Sequence, residues 1–396
     1  MEKEVDLQRN TREFLDAIVS IPSVSRHEKE VVQKIAASFS ALGCSVRLAP
    51  INENILNDPA SAAMFEPGDL HDYSGRHNIE IVLPGRTDRK IAINAHLDTV
   101  PAAENMKIGL EGNRYYGRGA CDDKGQIAGL YYAISKMITQ DQLPESSVTV
   151  HLVVEEEIGG NGSLSLNILP GQYDGAVVLE PTSLNIATAA RGVVWFQVTA
   201  HGVSGHSGDA SNTRSALLLA VKAIGLIQEY HAEQKRKYEG KPPFEACTIP
   251  LCFGKLHSGT WPAMVPDKAV LEGIIGVFPG TTSDTVSREI QDVLNCPDLA
   301  GSVDVEFTLK RDPNVSDRDS WLVRSLESAC REAGIAPRLD VLPACCDAFF
   351  YARQGIPVVV LGAGELKKCH AEDEFVELDQ VYNLGEILYN LLWQKV

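Results

Sequence analysis

The chain has 396 residues, 44% of them hydrophobic, with 36 basic against 53 acidic side chains and a formal net charge of −17. Its length exceeds what one compact core ordinarily organises, so two domains are expected, and the acidic balance excludes nucleic acid and anionic membrane surfaces as expected partners, because phosphate binding needs clustered lysine and arginine. The one basic cluster, KRKYEGK at 235–241, reads as a solvated helix end. No run of eighteen apolar residues occurs and the opening MEKEVDLQRN is charged, which points away from a membrane span or an export signal. Nine cysteines form no C-x-x-C pair; an odd, unpatterned set fits a reducing cytoplasm better than a disulfide framework or a zinc ribbon.

In chain order, Ser25-x-x-Glu28 reads as a capping box opening the helix HEKEVVQKIAASFSALG, with Gly43 as its stop. Strands are expected near 45–48, 78–83 and 90–95, and the turn-rich stretch between Ile51 and His77 reads as a surface excursion. A helix over about 124–137 follows, then the alternating strand SVTVHLVV and the short apolar run GAVVL. After Pro181 the register changes. Strand RGVVWFQVTA, a long helix over 215–237, strand AVLEGIIGVF and helix TSDTVSREIQDVLN suit a small α+β layer. VDVEFTL, SWLVRSLESACREAG, IPVVVLGAG and a last helix ending at Trp393 then resume the alternation. The expected architecture is a mainly parallel α/β domain with helices on both faces, formed by 1–185 and 302–396, interrupted by a smaller α+β domain over 186–301.

Chemistry gathers at the ends of the apolar strands. AINAHLDTVPA closes on His96 and Asp98; VTVHLVV runs into Glu155, Glu156 and Glu157, then Gly159 and Gly160. GAVVL runs into Glu180, IPVVVLGAG into a loop carrying His370, and Asp122 and Asp123 sit in the turn GRGACDDKG ahead of a helix. In open parallel sheets the loops at the carboxyl ends of strands gather on one edge, where ligands bind. Clustered carboxylates resist joint ionisation, so two histidines and four or more acids on one edge are explained by divalent metal. Imidazole with carboxylate suits zinc, cobalt, nickel or manganese. Two cations about 3.5–4 Å apart sharing a carboxylate would use about five or six such ligands.

In this order, HLDTVPA, GRGACDDKG, EEEIGG, LEPT, GVSGHSG and GAGELKKCHAEDEFV resemble the acetylornithine deacetylase and succinyl-diaminopimelate desuccinylase group of dinuclear metallohydrolases, kin to aminoacylases and glutamate carboxypeptidases. The resemblance spans almost the whole chain and implies an α/β catalytic domain with an inserted four-stranded lid, often used for dimerisation. It implies two divalent ions per subunit, zinc first with cobalt or manganese as alternatives: His96, Asp122 and Glu180 on one, Asp122, Glu157 and His370 on the other. Asp98 would hold the His96 imidazole in its tautomer, Glu156 would be the general base acting on a water shared by the metals, and His206, from the lid of a partner subunit in a homodimer, would bond the developing oxyanion.

The implied substrate is a small N-acyl amino acid, cleaved at its amide bond; a dipeptide is the alternative, and a non-catalytic metal-dependent binding module a remote one. Gly276 stands where many relatives carry an arginine that grips a substrate carboxylate, and Ala263 where asparagine is frequent, so Arg191, Arg214 and Arg353 are the candidate replacements. Among the remaining residues, Glu155 is assigned no chemistry, Asp123 reads as a helix N-terminal charge, and Cys121 and Cys369 read as packing. His151 reads as a satisfied strand histidine, and His27, His71, His77, His231 and His257 as surface. Ser207 lacks the G-x-S-x-G frame of a nucleophile, because Asp209 takes the place of the last glycine.

Overall fold

The computed structural model describes residues 2–62, 72–208, 211–245 and 248–393; His71, expected at the surface, lies outside the described residues. Two sheets organise the chain, one of nine strands and one of four. In the large sheet the apolar runs read from the sequence become Ser146–Val153, Thr87–His96, Gly175–Val178 and Val358–Val360. These four neighbours are mutually parallel, while the flanking strands Ser45–Pro50 and His77–Leu83 pair antiparallel. The sheet is therefore mixed, with a parallel centre. Parallel strands covered on both faces read as continuous apolar runs, and Ile91 to His96 is buried without interruption.

Helices Glu2–Val19, Lys124–Thr139, Trp321–Glu332 and Leu378–Trp393 contribute Leu15, Ile127, Leu326 and Ile387 to the core under this sheet. Ile93 at the centre pairs with Val150 on one side and Val177 on the other, and is fully buried. Ile93→Ala should cost roughly 2–5 kcal/mol of stability, measurable as a lowered denaturant midpoint.

The four-stranded sheet runs Leu251–Ser258, Lys268–Gly276, Val193–His201, Val303–Arg311, all antiparallel. Along Val193–His201 the side chains alternate. Val194, Phe196, Val198 and Ala200 face the helices Ala216–Tyr238 and Ser283–Leu294 and form a separate core with Ile227 and Ile290, whereas Val193 packs with Leu309 and Ala62 in a small cluster on the other side.

Three local expectations need correction. Ser25 caps nothing: the helix is Lys29–Ala41, preceded by Glu28 with no side-chain cap, because the Ser25 hydroxyl donates instead to Asp98 Oδ2 at 2.6 Å and Glu28 pairs with Arg76 at 2.7 Å. The stretch after Ile51 is not all surface, since Ile55, Ala60, Ala62 and Tyr73 are buried. Strand Ile186–Ala190 belongs to the large sheet and Val303–Arg311 to the small one, so we place the inserted unit at 193–311 instead of 186–301. Among the described residues no helix is long and apolar enough to cross a membrane.

Candidate metal centre

Parallel order brings the ends of Thr87–His96, Ser146–Val153, Gly175–Val178 and Val358–Val360 to one edge, and each delivers a ligand-type side chain there. Two groups form: His96, Asp122, Asp123 and Glu180, and Asp122, Glu157 and His370, with the ligand atoms in each within 4.8 Å of one another. Asp122 belongs to both. Its Oδ1 lies 2.8 Å from His96 Nε2 and its Oδ2 3.4 Å from His370 Nε2, while Glu157 Oε2 reaches His370 at 3.0 Å.

The electrostatics show a surplus of negative charge. Burial would lower the pKa of His96, yet Asp123, Asp122 and Asp98 outweigh it and hold the ring well above its ordinary value. Burial would raise Asp122, but hydrogen bonds from His370 and His96 keep it ionised, below the usual carboxylate range. Glu180 is pushed well up by burial and by Asp122, Glu156 and Asp123. Two imidazoles cannot balance this many carboxylates, whereas divalent cations would. Oxygen and imidazole nitrogen donors in two groups sharing one carboxylate fit a pair of such ions.

The surrounding loops hold the set rigid. His96 Nδ1 donates to the Asp98 carbonyl oxygen at 3.0 Å, which leaves Nε2 aimed at Asp122. Asp98 thus orients His96, but chiefly through its main chain, its Oδ1 standing 3.5 Å from the ring. The carboxylate itself accepts from the backbone N–H groups of Glu156 and Glu157 at 3.0 and 3.2 Å and so anchors the neighbouring loop. In EEEIGG, Glu155 turns away to Tyr73 at 3.0 Å and to Arg76. Gly160, at φ +78°, admits no side chain, since a Cβ would fall 2.5 Å from Asp347 Oδ1 and from Phe350.

A cavity of about 310 Å³ opens beside the cluster, lined by Glu156, Glu157 and His370 together with Arg191, Trp195 and Arg311. Burial pushes the Glu156 carboxyl well above its ordinary range; His96 opposes this and Asp347, Glu157 and Asp122 add to it. Of the three candidate arginines only Arg191 lines this cavity. Arg214 is engaged by Ser302 and by the Asp298 carbonyl at 2.9 Å, and Arg353 by Asp58 at 3.4 Å. His206 is exposed, in a two-residue strand paired with Met264–Val265 of the lid, and does not line the cavity of its own chain.

Asp123 stands at the N-cap of its helix, as expected, but its side chain makes no cap hydrogen bond; its Oδ2 accepts instead from the His96 backbone N–H at 3.0 Å. Cys121 and Cys369 approach each other to 3.8 Å and enter neither ligand group. His151 is satisfied by Tyr351 at 2.8 Å and Tyr173 at 3.2 Å. Sequence reasoning missed Glu374, which accepts from the backbone N–H groups of Cys121 and Asp122 at 3.0 and 3.2 Å and so fixes the residue common to both groups. It also missed Asp347, bonded to Ser163 at 2.6 Å. The signal for Glu374 was available, as an acid within the same late motif as His370.

The sequence profile described as Peptidase family M20/M25/M40 matches residues 92–394. An acetylornithine deacetylase of Vibrio campbellii is 24% identical over 367 residues, covering 90% of this chain and 89% of that protein. A tripeptidase from Staphylococcus aureus superposes with a TM-score of 0.76 at 20% identity, covering 97% of each chain. Human carnosine dipeptidase 1 does so with a TM-score of 0.74 at 16% identity over 98% of this chain and 97% of that one. With a match running from the strand that carries His96 to the last helix, this chain belongs to peptidase family M20/M25/M40 and is a hydrolase.

Proposed function

We propose that the protein cleaves the linear amide bond of a small N-acyl amino acid, with His96, Asp122 and Glu180 holding one divalent cation and Asp122, Glu157 and His370 a second. One observation carries this reading: Asp122 is common to both ligand groups, while Glu156, a member of neither, lines the adjoining cavity. When bound, the cations, zinc first with cobalt or manganese as alternatives, supply Lewis-acid polarisation of the scissile carbonyl and ease ionisation of water.

The chain's own groups do the rest. Glu156 takes a proton from the attacking water and passes it to the leaving nitrogen. Asp98 fixes the backbone of the Glu156–Glu157 pair, so that one carboxylate serves as ligand and its neighbour as base. Arg191, just ahead of the inserted unit, contacts the substrate from the wall of the cavity, and His206 of a partner subunit donates to the oxyanion. A general base beside the ligand set has no use in a pure binding module.

The substrate class has two readings. Likeness to an acetylornithine deacetylase over nine-tenths of the chain favours an acyl amino acid, while likeness to a tripeptidase and a dipeptidase favours a short peptide. A cavity of about 310 Å³ is at the small end of ligand sites and suits either. Amine release from a panel of N-acyl amino acids and dipeptides separates them.

Metal dependence is the first test. Chelation should abolish turnover and added zinc, cobalt or manganese restore it, with elemental analysis finding two ions per chain. Full activity after verified metal removal would sink the proposal, and one ion per chain would demote one of the two ligand groups. The described cysteines are unpaired by disulfides, in keeping with a cytoplasmic enzyme.

A further inference from the structure

Asp122 and Asp123 are consecutive, yet both belong to the ligand edge: one oxygen of Asp123 lies within 4.8 Å of the ligand atoms of His96, Asp122 and Glu180. The residue is fully buried and its carboxylate is held from one side only. Oδ2 accepts the His96 backbone N–H at 3.0 Å, while the helix Lys124–Thr139 takes no cap bond from the side chain. Oδ1 is buried with no hydrogen-bond partner among the described residues. An unpaired carboxylate oxygen away from water costs free energy, and the carboxylates of Asp122 and Glu180 beside it add repulsion. A cation in the group offsets both.

The two ligand groups then differ in number and in hardness. His96, Asp122, Asp123 and Glu180 offer one imidazole and three carboxylates, all buried; Asp122, Glu157 and His370 offer one imidazole and two carboxylates, with the His370 side chain 52% exposed. Zinc at a catalytic position takes three protein ligands and keeps one place open, which is the count of the second group. Four side chains with a water beside them exceed a tetrahedron. Oxygen-rich sets of higher coordination suit manganese.

We propose that Asp123 is a fourth side-chain ligand for the cation at His96, Asp122 and Glu180, and that it makes this position selective for manganese while zinc goes to Asp122, Glu157 and His370. This rests on the two-cation reading above and deepens it, from two equivalent ions to two positions of different preference.

The test titrates manganese and zinc separately into chelator-stripped protein, each against a competing chelator of known affinity, and reads the ratio of the two Kd values. His370→Ala serves as the background, so that the second group does not compete for the ion. Asp123→Asn keeps an oxygen to accept the His96 N–H and removes the charge. It should shift the ratio toward zinc roughly 10-fold, the low end of what altering a group around a metal costs. Asp123→Ser serves where asparagine fails to fold. An unchanged ratio overturns the inference, whether or not both affinities fall, because a side chain that only supports the His96 strand end would weaken the two ions alike. The unsubstituted protein separates the two readings. If it takes up neither ion, the two-cation reading falls and this inference with it; if it takes up two ions and Asp123→Asn leaves the ratio unchanged, the role of Asp123 alone falls.

Discussion

Glu156→Gln should lower turnover by roughly 10²–10⁴-fold or more, the usual contribution of a positioned proton-transfer group, while the protein keeps its metals. The substitution preserves shape and the backbone N–H that Asp98 accepts at 3.0 Å, so the loop and its neighbour Glu157 should stay in place. Glu157→Gln is the contrasting variant. Its carboxylate faces His370 at 3.0 Å and shares a ligand group with Asp122, so its loss should weaken metal retention first and activity as a consequence. Metal content after dialysis, read beside kcat, separates the two variants. Metal lost on substitution at 156 and kept on substitution at 157 would mean that base and ligand are exchanged.

Much of this centre was legible in the sequence because the information is local to each strand end. An apolar run that closes on His96, on Glu156 and Glu157 or on Glu180 says where a buried strand emerges, and parallel order says that such ends meet. What the sequence left unreadable depends on contacts between distant segments. Glu374 serves Cys121 and Asp122 across more than 250 residues, and Ser25 serves Asp98 across 73; no periodicity records either. Asp98 marks an intermediate case, since the residue was legible but not how its two polar groups divide their roles. Its carbonyl orients His96, and its carboxylate anchors the Glu156 loop. The edges of the lid were misjudged for a related reason. IATAA at 186–190 and VDVEFTL at 303–309 are short strands that would be compatible with either sheet, and only the pairing of Val303–Arg311 with Val193–His201 decides the question.

His206 supplies the second large expected effect. In its own chain it is exposed and outside the cavity, and the role proposed for it calls for another subunit to present it. The lid has the surface for that: Val203, Leu217, Leu218, Val221, Trp261 and Met264 are exposed apolar side chains, and they lie on the hairpin carrying His206, its flanks and the adjoining lid helix. We propose that apolar surface concentrated in this way serves as an interaction face, through which a two-fold pairing of lids would exchange His206 between the two active sites. His206→Ala should then lower kcat by roughly 10²–10³-fold, as for loss of an oxyanion donor, with metal content and dimerisation unchanged. Complementation tests whose site it serves. Glu156→Ala and His206→Ala proteins, each nearly inactive, are mixed under conditions of subunit exchange. In a mixed dimer the His206→Ala subunit keeps its own Glu156 and receives the other subunit's His206, which rebuilds one complete site. Statistical mixing makes about half the dimers mixed, each with one of two sites intact, so activity should approach about a quarter of wild type. No recovery despite demonstrated exchange would assign His206 to its own subunit or to no catalytic role.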